Sequence, residues 1–171
     1  GGGKIILSPG GTKALRNDGG GFAVDTSLGS KIDLADRMVV TDIAGMSRSQ
    51  LRAFIVAGRN GGNWMGSGIT SSAAATHPNA AIGFSDSTHL FNIFPATWLG
   101  QTGIDSTSYL ITYTLKGDAN LDRIVNFADL LRLAQNYGSS GKYWYQGDFT
   151  YEGDVNFNDL LALAQNYNGT L

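Results

Sequence analysis

Two copies of one 21-residue pattern, thirty residues apart, limit this chain more than any other feature. Residues 117–137 read GDANLDRIVNFADLLRLAQNY and residues 147–167 read GDFTYEGDVNFNDLLALAQNY, with 13 of 21 positions identical. Chance does not produce that match, so the chain divides at the repeat. Charge divides at the same place. Residues 1–115 carry eight Lys/Arg against seven Asp/Glu, and residues 116–171 carry four against seven, a net charge of -3. We therefore read residues 1–115 as a β-rich domain and residues 116–171 as a duplicated module.

The first part is built from short apolar or alternating runs separated by Gly, Asn, Asp and Ser. Strands are predicted at residues 4–7 (KIIL), 22–25 (FAVD), 31–34 (KIDL), 38–41 (MVVT), 81–84 and 109–115 (YLITYTL). The last alternates Tyr109, Ile111, Tyr113 and Leu115 with Thr112 and Thr114. One helix is predicted. Ser47 and Gln50 form a capping-box pattern, Leu51, Phe54 and Ile55 follow at helical spacing, and Gly58 is the stop. Trp64, in the Gly-rich stretch after it, is read as a plug on the core.

The repeat carries the chemistry. Counting from its first Asp, loop one places Asp118, Asn120, Asp122, Ile124, Asn126 and Asp129 at positions 1, 3, 5, 7, 9 and 12. Loop two places Asp148, Thr150, Glu152, Asp154, Asn156 and Asp159 at the same positions. This is the oxygen-ligand spacing of a calcium loop, with position 7 donating its backbone carbonyl and position 9 commonly acting through water. Hard oxygens without His or Cys favour Ca²⁺, so two calcium sites are expected. The alternative is that the acids only form Asx turns and helix N-caps. Val125 and Val155, both at position 8, suggest loops paired back to back. Position 6 is Arg123 in loop one and Gly153 in loop two, so Arg123 must either take a strained positive φ or bend its loop differently.

A calcium loop followed by one helix, in two copies, with Asp at position 12, resembles the dockerin type I module. The resemblance covers residues 117–168. It implies an α-helical pair of loop–helix motifs and cohesin partners read by positions 10 and 11, here Phe127-Ala128 and Phe157-Asn158 rather than the Ser/Thr pair common in that family. The first part looks similar to the C-terminal ends of large secreted bacterial surface proteins with β-helical, autotransporter-like bodies. That resemblance implies a small sandwich or β-solenoid end with one short helix, at the cell surface or outside the cell.

Exclusions narrow the function. Net charge is -2 and pI about 5.5, without the basic patch of a nucleic-acid binder. Cys is absent, and no apolar run reaches the length of a membrane span. Ser85–His89 (SDSTH) lacks a nucleophile elbow, and no carboxylate pair is framed for hydrolysis, so no enzyme is expected. The opening Gly1-Gly2-Gly3 reads as a processed product or a piece of something longer. The reading is a calcium-binding extracellular structural or assembly protein whose partner is another protein or copies of itself. Lys4, Ile5, Ile6 and Leu7 are the candidate β-strand for addition into filaments. The alternatives are a dockerin docking cargo onto a cohesin scaffold, and a carbohydrate-binding accessory domain.

Overall fold

The computed structural model describes residues 4–7, 14–17, 25–43 and 45–171. In chain order the elements are β1 (Lys4–Ile6), β2 (Leu15–Asn17), β3 (Lys31–Asp33), β4 (Met38–Asp42), α1 (Arg48–Arg59), β5 (Gly68–Thr70), α2 (Ser72–Thr76), β6 (Ala80–Asp86), β7 (Ala96–Trp98), β8 (Gln101–Ile104), β9 (Ser108–Leu115), α3 (Phe127–Asn136) and α4 (Phe157–Asn166). One sheet is parallel, in the order β1-β3-β5. A second has the order β2-β4-β9-β6, with β2 and β4 parallel and the other pairs antiparallel. β7 and β8 form a separate antiparallel pair. The run predicted at residues 22–25 lies almost wholly outside the described residues.

The mainly β first part expected from the sequence is corrected to a mixed α/β arrangement. α1 fills the connection between β4 and the parallel strand β5, and α2 separates β5 from β6. α1 starts as its residues dictate. Ser47 Oγ accepts from the Gln50 amide at 3.2 Å, and Gln50 Oε1 accepts from the Ser47 amide at 2.8 Å. The helix buries Leu51, Ile55 and Gly58 and runs one residue past the predicted stop, to a left-handed Asn60. Trp64 is buried in the core, with its ring edge-on to Tyr151.

A self-contained α-helical pair at the C-terminus is also not what forms. α3 buries Leu133 where a Cβ on Gly147 would lie 2.8 Å from the Leu133 Cα. α4 buries Leu163 against Gly117 in the same way, at 2.9 Å. Each helix thus closes on the entry to the other copy's loop. The back-to-back pairing of Val125 with Val155 is corrected likewise. Val125 exchanges hydrogen bonds with Asn168 and Gly169, after α4, and Val155 with Gly138 and Ser139, after α3.

The repeat is also sewn into the second sheet. All eight residues of β9 are buried, because its threonine face meets loop one. Thr114 Oγ1 donates to Asp118, and Arg123 reaches Thr112 Oγ1 at 3.4 Å. Trp144, in a 3-10 turn between the copies, is buried beside Gly83 of β6, where a Cβ would lie 2.7 Å from the indole nitrogen. That nitrogen donates to the Asp118 carbonyl at 2.6 Å. Tyr151, at position 4 of loop two, has its hydroxyl between the backbone groups of Ile82 on β6. It accepts from the amide at 3.1 Å and donates to the carbonyl at 2.8 Å. One hydrophobic cluster therefore includes Phe84, Ile111, Leu121, Trp144 and Leu163. Tyr151→Phe leaves two buried backbone groups without that partner. We expect a loss of about 1–3 kcal/mol, read as a lower urea midpoint at unchanged slope. An unchanged midpoint would contradict this role for the hydroxyl.

Candidate metal centre

Both loops fold as the same scaffold. Position 1 is buried in each copy, position 12 is buried, and positions 5 and 7 are exposed. In loop one, Asp118 Oδ1 accepts from the Asp122 amide at 3.1 Å and Oδ2 from the Arg123 amide at 3.0 Å. In loop two, Asp148 Oδ2 accepts from the Gly153 amide at 2.9 Å. The amide at position 6 thus fastens the first carboxylate in both copies. That geometry puts position 6 at positive φ, 70° for Arg123 and 92° for Gly153.

Position 12 joins loop to helix. Asp129 Oδ1 accepts from the amides of Ala119 and Asn120 at 2.8 and 3.1 Å, and Oδ2 accepts from Asn126 at 2.9 Å. Asp159 repeats this with Phe149, Thr150 and Asn156 at 2.8, 3.0 and 3.0 Å. Positions 9 and 12 together form a capping box at the start of each helix, with Asn126 and Asn156 as N-caps. Asp122 accepts from the Ile124 amide and from Asn120 Nδ2. Glu152 accepts from Asn156 Nδ2. The acids therefore do form the Asx turns and N-caps of the alternative reading. Among the described residues, no three His, Cys, Asp or Glu side chains are grouped as a metal-holding cluster.

Two buried loop atoms stand apart from this bonding, Arg123 Nε in loop one and a carboxylate oxygen in loop two. Asp148 Oδ1 is buried and has no hydrogen-bond partner, in a residue only 1% exposed. Leaving a buried carboxylate oxygen unmatched is costly unless a cation or a proton balances it. Burial, reinforced by the neighbouring Asp159 charge, pushes the Asp148 carboxyl up to about 7. Asp118 is also pushed up to about 7, by burial first and then by Asp129. Burial raises Asp129 and Asp159 too, against the backbone amides that favour their charged forms. Loop two therefore fits a hard cation on an observation beyond its spacing, and its oxygen donors suit calcium. Loop one offers the same donors, with the Asp118 oxygens already accepting bonds. Carboxylate oxygens have lone pairs for more than one partner.

The candidate partner residues fall in two places. Phe127 and Phe157 are exposed, at 65% and 63%, and Leu131 and Leu161 are exposed one turn further on. Ala128 and Asn158 are exposed beside them. Lys4, Ile5 and Ile6 form β1, which pairs in parallel with β3 inside its own sheet, and the Leu7 amide donates to the Asp33 carbonyl. Ile5 and Ile6 remain 52% and 57% exposed.

Sequence reasoning missed the groups that first-part elements bring to the repeat. Arg48 of α1 pairs with Asp86 and meets His89 Nε2 at 3.0 Å. His89 stacks on Tyr145 with ring centroids 4.1 Å apart, and burial followed by the Arg48 charge lowers its pKa. Asp86 is thus engaged by arginine, while Ser85 Oγ donates to the Asp86 carbonyl. Trp64, Trp98 and Trp144 are all buried, so no tryptophan offers a flat surface platform for a sugar. Nothing local in the sequence marks the pairings of Arg48 with Asp86 and His89, or of His89 with Tyr145, because each spans dozens of residues.

No family model matches the chain, and no curated protein matches it. No autotransporter-like or β-helical surface protein is among the matches. A solved structure, the type II cohesin-dockerin domain from Bacteroides cellolosolvens, is similar at 38% identity. The similarity covers 33% of this chain and 88% of that one, with a TM-score of 0.29.

Proposed function

We propose that this chain is a non-catalytic, calcium-stabilised protein-docking unit that works outside the cell. Each loop takes one Ca²⁺, and the helices that follow present a duplicated apolar surface to another protein. The observation that carries docking is the exposure of Phe127 and Leu131, and of Phe157 and Leu161, at identical repeat positions four residues apart on their helices. Exposed apolar side chains set in register on two related helices cost solubility unless something covers them. The buried, unmatched Asp148 oxygen supports the ion. Calcium would be held by Asp118, Asn120, Asp122, the Ile124 carbonyl, Asn126 and Asp129, and by the corresponding residues of loop two from Asp148 to Asp159. The ion supplies charge neutralisation and a fixed loop. The residues around it fix the start of each helix, and so the placement of each Phe–Leu pair.

Two measurements test this. Asp129→Ala and Asp159→Ala are each expected to remove one ion in calorimetric titration, while Asp154→Ala, whose position donates a backbone carbonyl, keeps both. Loss of a site in Asp154→Ala would overturn the register. For docking, the probe is a type II cohesin module. Binding is expected in calcium and not in chelator. The double variant Phe127→Asp/Phe157→Asp is expected to weaken it at least about tenfold while still taking two ions. Failure of the wild type to bind, or wild-type binding by the double variant, would sink the cohesin reading.

A second reading rests on β1, an end strand of its sheet among the described residues, whose Ile5 and Ile6 are exposed. Strand addition there would join copies of the chain. Light scattering on the same samples distinguishes it: a high-mass species lost on deletion of residues 1–7 favours self-assembly over docking.

A further inference from the structure

We propose that Arg52, on α1, is the built-in counter-cation of loop two and sets how tightly that loop takes calcium. The inference rests on the calcium reading of the loops. The Arg52 guanidinium lies over Gly153, at position 6. A Cβ on Gly153 would sit 2.9 Å from Nη1 and 3.0 Å from Nη2. The Gly153 amide fastens Asp148 Oδ2, so the guanidinium covers the same residue whose amide holds that carboxylate. The Arg52 charge also acts on Asp148, favouring its ionised form. The other Asp148 oxygen is the buried one without a partner. Arg52 is held over the Tyr143 ring, 6.0 Å from its centroid, and lines a groove with Ser49, Ala53, Val56 and Tyr151.

Loop one explains why an arginine belongs there. Its position 6 is Arg123, whose own guanidinium reaches Thr112 and whose charge is favoured first by Asp36 and then by Asp118. The most conspicuous difference between the two copies, Arg against Gly at position 6, is therefore made good in space. Loop one carries its arginine within the repeat, and loop two borrows one from α1 across a glycine that leaves room for it.

A fixed cation here has two consequences of the same sign. Without metal, it offsets part of the repulsion between Asp148 and Asp159. With metal, it repels the ion. Removing it destabilises the free loop and strengthens ion binding.

The test uses the full chain with Arg52→Gln and Arg52→Lys, titrated with calcium by calorimetry and melted in chelator and in calcium. In Arg52→Gln, one of two sites is expected to tighten about three- to tenfold, the effect of one charge on a divalent ion at short range under partial screening. The other site stays unchanged. The melting temperature falls more in chelator than in calcium. Arg52→Lys, which keeps the charge, stays close to wild type, separating charge from packing on Tyr143. If wild type binds two ions and Arg52→Gln tightens neither, this proposal fails alone. If neither protein binds calcium, the calcium reading fails and takes the proposal with it.

Discussion

Trp144→Ala is expected to unfold the chain as a whole, not just the segment between the two copies. The indole is fully buried, meets Phe149 edge-on at 5.1 Å and Tyr151 at 5.3 Å, and lies against Gly83 of β6. Its nitrogen supplies a hydrogen bond to the Asp118 carbonyl at the start of loop one. Truncation therefore opens a cavity between β6 and both loops and leaves a buried carbonyl unmatched. Large-to-small changes of this kind cost about 3–5 kcal/mol, a large share of the stability of a domain this size. Circular dichroism of the helices and near-ultraviolet signals from the remaining aromatics should be lost together. If the sheet melted at its wild-type temperature while only the repeat unfolded, the two parts would be independent and the single core would be wrong.

Calcium removal should have the second-largest effect. Each loop places a buried carboxylate at position 1 and another at position 12, all four raised above the usual carboxylate range by burial, with the position-1 groups raised further by the charge at position 12. An ion that binds only the folded loop stabilises it by about 2.7 kcal/mol per site at a hundredfold excess over its dissociation constant. Two sites add when they are independent. Chelation is therefore expected to lower the melting temperature by several degrees or more, and readdition of calcium, but not magnesium, should restore it. Limited proteolysis offers a second readout. Cleavage near Tyr143 to Tyr145 should appear in chelator, because that segment is pinned to Asp118 of loop one and to loop two through Tyr151. A melting curve that chelator leaves unchanged would remove calcium from the account of this protein.

The sequence alone determined the features set by neighbours along the chain. The twelve-residue spacing gives both loops one burial pattern, with positions 1 and 12 inside and positions 5 and 7 exposed. Positive φ at Arg123 follows from where position 6 must aim its amide. The caps of α1, α3 and α4 are all contacts across two or three residues, and that of α1 is legible in Ser47 and Gln50. Tertiary structure decided what reaches across the chain. Tyr151 on Ile82, Trp144 beside Gly83, Val125 with Gly169 and Arg52 over Gly153 carry no local signal. Their formation depends on the sheet bringing distant strands together, and with it the burial that makes an unpaired oxygen or a displaced charge costly. The apparent β-rich first part and separate helical pair were wrong for the same reason. Short apolar runs show that strands form, but only packing shows that α1 enters between them and that each helix closes on the other copy's loop.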